Sequence, residues 1–205
     1  RRLRVDVQVS QRALEEIYLP AFRACVEEAD AWSFMACYNR VNGKYGCENT
    51  ELLIDKLKKE YGFSGFVVSD WFAANKTQGT GACVNGGLTL DMPGNFPPVP
   101  TQTYRLHPKN LRKAFDAGEF TEEALDYNLR GYLRAQLRTG AFDPEESLPK
   151  GERNTPAIQN IAREIAAEGM VLLKNEKQLL PLQQNEIKKL AVLGPNKSKR
   201  MAYLF

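Results

Sequence analysis

The stretch Gly65-Phe66-Val67-Val68-Ser69-Asp70-Trp71 constrains this chain more than any other. Phe66, Val67 and Val68 follow a glycine as a short apolar run without polar alternation. That pattern suits a strand covered on both faces in a parallel sheet rather than an alternating surface strand. Asp70 then falls where the strand meets its loop. In parallel α/β folds the C-terminal strand ends collect catalytic groups, because the loops there vary while the scaffold holds them in place. The run by itself leaves two readings of Asp70 open, an acting carboxylate or a residue that caps the next helix.

The flanking pattern alternates helix and strand. Leu14, Ile17 and Tyr18 recur at helical spacing before Pro20, and Phe22, Cys25, Val26 and Ala29 do so after it, with Pro20 as the first residue of the second helix. Residues 32–37 read as a strand feeding a long loop over 38–43. Asn49 or Thr50 caps a helix whose inner face is Leu53, Ile54, Leu57 and Tyr61, and Gly62 stops it. The glycine-rich 79–87 shows no clear period. Residues 88–92 form a third short apolar segment, which delivers Asp91 and is stopped by Pro93-Gly94 and the proline-rich 95–100.

From Pro108 the pattern is helical, with Leu111, Ala114 and Phe115 on one face. A second helix opens at Thr121-Glu122-Glu123 and carries Leu125, Leu129, Tyr132 and Leu133 inward. Residues 139–154 have the composition of a linker. Thr155-Pro156 then starts a helix with Ile158, Ile161, Ala162 and Ile165 inward, followed by strand-like runs at 170–173 and 190–193. Strands alternating with helices predict parallel βαβ units. Three strands do not close a (β/α)8 barrel of about 250 residues. Periodicity alone therefore ranks a small open sheet of three or four strands with covering helices first.

Composition narrows the function. At 205 residues and 43% hydrophobic, the chain can bury one large core or two small ones. The net charge of +3 is spread over 28 basic and 25 acidic residues, and the one basic cluster, 197–200, reads as a solvated tail. Nucleic acid is not an expected partner. Cys25, Cys37, Cys47 and Cys83 show no metal-ligand spacing, and His107 is the sole histidine. The expectation is free buried thiols and no metal. No stretch approaches 18 consecutive apolar residues and no leader pattern opens the chain, so neither a membrane span nor a signal peptide is expected. Arg1-Arg2-Leu3-Arg4 reads like the inside of a longer protein.

Several motifs in order resemble family 3 glycoside hydrolases, the β-glucosidase and β-xylosidase group. They are Arg12-Ala13-Leu14 with Glu16-Ile17-Tyr18-Leu19-Pro20-Ala21-Phe22, then Met35-Ala36-Cys37-Tyr38-Asn39-Arg40-Val41-Asn42-Gly43, then Gly62-Phe63-Ser64-Gly65 leading into Ser69-Asp70-Trp71. Leu90-Asp91-Met92-Pro93-Gly94, Gly140-Ala141-Phe142, Val171-Leu172-Leu173-Lys174-Asn175 and Val192-Leu193-Gly194-Pro195-Asn196 extend the likeness over nearly the whole chain. The resemblance implies an α/β fold in which residues 1–140 are the later half of a (β/α)8 TIM-like barrel. Residues 141–154 would be a linker, and 155–205 the truncated start of a second α/β sandwich domain.

The resemblance also implies roles. Asp70 would be the catalytic nucleophile, Trp71 part of the sugar-binding site, and Met35 and Tyr38 lining of the same pocket, with no cofactor and no metal. The implied activity is retaining, exo-acting hydrolysis of β-linked glucosides or short oligosaccharides. A retaining glycosidase needs a carboxylate that attacks the anomeric carbon and a second carboxyl group about 5–5.5 Å away to protonate the leaving oxygen. In the family that second group is a Glu of the second domain, past Phe205, and a sugar-contacting Lys-His motif lies in the earlier half of the barrel. The fragment alone is therefore expected to be inactive. Arg2 matches an arginine that follows the Lys-His motif. Asn75 stands where the family often has histidine, Thr89 where aspartate is common, and the glycines near 79–81 are unusual. Alternatives are a non-catalytic carbohydrate-binding or structural remnant, or a related β-xylosidase or N-acetylglucosaminidase. Oligomeric state and compartment are not legible.

Overall fold

A computed structural model describes residues 2–94, 104–183, 185–191 and 193–194. Its strands are β1 (Asp6–Val7), β2 (Ser33–Ala36), β3 (Arg40–Val41), β4 (Lys44–Tyr45) and β5 (Phe66–Ser69). Its α-helices are α1 (Gln11–Ala13), α2 (Pro20–Glu27), α3 (Thr80–Gly86), α4 (Pro108–Asp116), α5 (Glu122–Arg138) and α6 (Pro156–Glu168). Two wider, π-type helices span Leu14–Tyr18 and Glu51–Glu60. The chain divides into two compact units, Arg1–Leu148 and Pro149–Phe205.

In the first unit β5 is the central strand. It pairs in parallel with β2, Ser33 opposite Phe66 through Ala36 opposite Ser69. On its other edge Val68 bridges Leu90, also in parallel. The strand expected over 88–92 is thus reduced to a single bridge, held by Ser69 N–H donating to the Leu90 carbonyl at 2.8 Å and Leu90 N–H to the Val67 carbonyl at 3.1 Å. The helix Glu51–Glu60 is the crossover between β2 and β5. Asn49 Oδ1 accepts the Leu52 N–H at 3.2 Å at its start, and Gly62, at φ 73°, follows its end. Leu53, Leu57 and Tyr61 pack with Ala36, Val67 and Phe63 in the main core, against partly buried Phe34.

Burial of β5 on both faces does not hold. Val67 and Ser69 are fully buried, whereas Phe66 and Val68, on the opposite side of the pleat, are half-buried. Two other stretches hold elements whose periodicity is weak. Within 38–43, expected as loop, Arg40–Val41 is instead β3, paired in a hairpin with β4, and Asn42-Gly43 supplies the two positive φ values, 49° and 89°, that a tight hairpin turn needs. Residues 79–87 contain α3, whose buried positions Thr80, Gly81, Cys83, Val84 and Gly86 surround it, so no stripe shows in the sequence.

The inner face of α5 also differs from expectation. Asn128, Gly131 and Ala135 are buried, while Leu129 and Leu133 are exposed. A methyl added at Gly131 would collide with the Gly65 carbonyl, so close backbone approach selects the small-residue face. Of the thiols, Cys25 and Cys37, expected inside on an apolar helix face and in an apolar run, are exposed, whereas Cys47 and Cys83 are buried, and all four are free.

In the second unit Thr155 Oγ1 accepts the Ile158 N–H at 3.3 Å and caps α6. Its expected inner residues Ile158, Ile161 and Ile165 are exposed. Residues 170–173 form no strand, and neither do the described residues of 190–193. A strand exists only when an edge pairs with it, and no described segment of this unit does. Residues 95–100 and 197–200 lie outside the described residues. Among the described residues no helix is long and apolar enough to cross a membrane.

Candidate active site

The ladder between β2 and β5 continues one step past the strand. Asp70 N–H donates to the Ala36 carbonyl at 3.2 Å, which fixes the backbone from which the carboxylate projects. The chain then turns sharply. The Asp70 carbonyl accepts the Ala73 N–H at 2.9 Å, and Phe72 adopts a left-handed φ of 63°. Such a conformation persists in a non-glycine residue only where its surroundings hold it. Here Phe72 N–H donates to the Met92 carbonyl at 2.9 Å, and its ring stacks on buried Tyr104 at 6.2 Å. Ala73 and Ala74 are buried beneath, leaving Trp71 44% exposed.

The Asp70 carboxylate does not cap a helix. Its Oδ1 accepts the adjacent Trp71 N–H at 2.7 Å, and the 3-10 turn Ala73–Lys76 has no side-chain cap. The Tyr38 hydroxyl, beyond the end of β2, faces Asp70. Burial raises the Tyr38 pKa, the neighbouring Asp70 carboxylate raises it further, and Arg2 opposes them. The phenol therefore keeps its proton at neutral pH. The Arg2 guanidinium lies 5.3 Å from the Tyr38 ring centre, and Lys76 Nζ donates to the Leu3 carbonyl at 2.6 Å, which ties the start of the chain to the same region.

Met35 is the register partner of Val68, two residues before Asp70. Met35, Val68 and Asp70 thus lie along one side of the pleat, and Met35 is 61% exposed there. Tyr38 touches Asp70, Trp71 adjoins it, and Met35 shares its face. Among the described residues no group of three or more His, Cys, Asp or Glu side chains is placed to hold a metal.

Sequence reading placed Asp91 at a strand end without a role. In the fold its Oδ1 accepts the Ser69 hydroxyl at 3.5 Å and its Oδ2 the Leu106 N–H at 3.4 Å. Burial raises the Asp91 pKa, and the Leu106 and Arg105 N–H groups, Ser69 and the Arg105 charge pull it back. The signal was an acid ending an apolar run beside the Asp70 strand. The Phe72–Tyr104 stack had no signal, since the two residues are distant in sequence. Chemically, the arrangement is a carboxylate at an open strand end, held by one amide and flanked by a phenol, beside an exposed indole. It is suited to nucleophilic attack on a substrate carrying polar hydroxyls and apolar ring faces.

Comparison with known proteins bears on this site. The profile of the glycosyl hydrolase family 3 N terminal domain matches residues 3–134. A probable beta-glucosidase I from Aspergillus flavus is 37% identical over 202 residues, 98% of this chain and 22% of that protein. The chain therefore spans about a fifth of the length of the curated relatives it matches. Among solved structures, the GH3 beta-glucosidase of Bifidobacterium adolescentis is similar at a TM-score of 0.66 and 36% identity, covering 88% of this chain and 24% of that one. The beta-glucosidase DesR of Streptomyces venezuelae, solved with D-glucose, is similar at 0.69 and 35%, covering 89% and 23%. These neighbours place the chain in the TIM-barrel-like α/β class.

Proposed function

The chain belongs to glycosyl hydrolase family 3, and from that premise we propose that it carries the nucleophile of a retaining, exo-acting β-glucosidase. Residues 1–140 are read as the later half of the barrel, 141–154 as a linker and 155–205 as the opening of a second α/β sandwich domain. The observation that carries the reading is Asp70 itself. It is a carboxylate at the C-terminal end of the central parallel strand, it accepts the adjacent Trp71 N–H, it lies beside the Tyr38 hydroxyl, and it caps no helix.

In the proposed mechanism an Asp70 oxygen attacks the anomeric carbon of a terminal β-glucoside. The glycosidic C–O bond breaks, and the leaving oxygen takes a proton from a second carboxyl group. Water, deprotonated by that same group, then attacks the anomeric carbon from the face the leaving group vacated. This releases Asp70 as a carboxylate and returns the sugar with its β configuration. Tyr38 orients the attacking oxygen by donating to the carboxylate. Trp71 offers an aromatic face to the C–H groups of the pyranose, and Met35 lines the same side.

The second carboxyl group is proposed to come from outside these 205 residues, since Asp91 is engaged with Ser69 and Leu106. The 205 residues alone should then not hydrolyse glucosides. Relatives named beta-glucosidases and a relative solved with D-glucose support the choice of sugar. The test uses the full polypeptide that contains this chain and an aryl β-glucoside followed by proton NMR. β-Glucose as the first product, lost on Asp70→Asn, is expected. α-Glucose first, or full activity in the variant, would remove the assignment.

A further inference from the structure

We propose that Asp91 is a positioning residue for Asp70, acting through Ser69 and through the two supports of the loop that follows the nucleophile. The inference rests on the reading of Asp70 as nucleophile. Ser69 precedes Asp70 in the chain and is fully buried. Its hydroxyl donates to Asp91 Oδ1 at 3.5 Å while accepting the Met92 N–H at 2.8 Å. The other oxygen of Asp91 accepts the Leu106 N–H at 3.4 Å. One carboxylate thus joins the end of β5, the segment after Leu90, and residues 105–106.

Those two segments also brace the turn carrying Asp70. Met92 offers its carbonyl to Phe72 N–H, and Tyr104 lies under the Phe72 ring. Asp91 stands between them. Burial opposes its charge, and the neighbouring N–H groups compensate in part. A neutral amide in its place has a single acceptor oxygen and could take only one of the two bonds, though at lower desolvation cost. A charged acceptor holds its donors more tightly, and its donors, the Ser69 hydroxyl and the Leu106 N–H, flank the two supports, Met92 and Tyr104, that set the Phe72 backbone and hence the direction of Asp70. A misplacement of about 1 Å at a reacting group can cost about 10²-fold in rate.

The experiment uses the full polypeptide containing this chain. The burst of aryl leaving group from an activated β-glucoside reports glycosylation of Asp70. Asp91→Asn is expected to slow the burst by about 10- to 100-fold, with KM and the urea unfolding midpoint nearly unchanged. Asp91→Glu, which keeps the charge, should recover part of the rate. Ser69→Ala should also slow the burst, and the double variant Ser69→Ala/Asp91→Asn should be no slower than Asp91→Asn alone, because both act along one path. An unchanged burst rate per folded molecule in Asp91→Asn would overturn the proposal. So would losses that multiply in the double variant, or losses that follow the unfolding midpoint alone. If Asp91→Asn does not fold, Ser69→Ala and Asp91→Glu decide on the same criteria. A folded, active wild type that a 2-deoxy-2-fluoro-β-glucoside labels on a residue other than Asp70 removes the nucleophile reading and this inference together, whereas labelling at Asp70 with no effect of Asp91 on the rate removes this inference alone.

Discussion

The two ends of β5 are built for different purposes. At the N-terminal end the Gly65 carbonyl packs so closely on Gly131 of α5 that Gly131 tolerates no side chain, and the Trp32 carbonyl leaves no room for one at Gly65. The Ser64 carbonyl is bonded by the Arg134 guanidinium. Lys58, 6% exposed, donates to Asn128 Oδ1 at 2.7 Å and to the Gly87 carbonyl at 3.3 Å, with the Tyr127 ring 4.9 Å away. At the C-terminal end Trp71 and Met35 are exposed, and Asp70 is held by one amide, with the Tyr38 phenol beside it. One strand thus joins a closed end, where polar groups are matched and backbones touch, to an open end that keeps a carboxylate available. Parallel α/β scaffolds divide stability from chemistry in this way.

The division is open to direct attack, and the largest effect is expected at the open end. Asp70→Asn should lower kcat of the full polypeptide by about 10⁴-fold or more, the scale seen when a covalent nucleophile is removed, with the unfolding midpoint unchanged. A comparable loss of stability would erase the division, and urea unfolding alongside kinetics checks both.

At the closed end, burial lowers the Lys58 pKa from 10.5 to about 8. Between those values the unfolded chain holds a proton that the folded chain has released, so stability rises with pH across that window. Relative to Lys58→Met, the gain should reach about 3 kcal/mol, from 1.36 kcal/mol per pH unit. Urea melts of both proteins from pH 8 to 10.5 measure it, and parallel curves would show that the Lys58 amine is not desolvated.

Gly131→Ala follows in size. In an exposed helix interior this change would stabilise by about 1 kcal/mol. Here the methyl meets the Gly65 carbonyl, so overpacking should reverse the sign and cost about 1–3 kcal/mol, with kcat per folded molecule retained. The smallest effect is expected from Trp71→Ala, which should raise KM for an aryl glucoside by several-fold, on the scale of about 1 kcal/mol of aromatic contact. Stability should not move, because the ring is exposed.

Much of this was legible wherever local signals matched the surroundings. The strand through Val67, the start of α2 at Pro20 and the α6 cap at Thr155 each follow from residues within a few positions of one another. The turn at Asn42-Gly43 carries its own local signal, a dipeptide that accepts two positive φ values. The face of α5 was not legible, because the contact of Gly131 with Gly65 spans distant parts of the chain and overrides the leucine period. Residues 170–173 have strand composition, but pairing is a property of two segments, and a single run cannot supply the second. At the site, Asp70, Trp71, Tyr38 and Met35 were marked by ordered motifs. The bonds from Asp91 to Ser69 and Leu106 emerged only once three segments were folded together.

The central claim is that Asp70 forms a covalent bond to the sugar, and trapping that bond tests it most directly. A 2-deoxy-2-fluoro-β-glucoside with a good leaving group is incubated with the full polypeptide, and the digested protein is mapped by mass spectrometry. A fluoroglucosyl adduct on the peptide containing Ser69-Asp70-Trp71, localised to Asp70, is the expected result. A folded, active enzyme labelled on another residue, or never labelled, would contradict it.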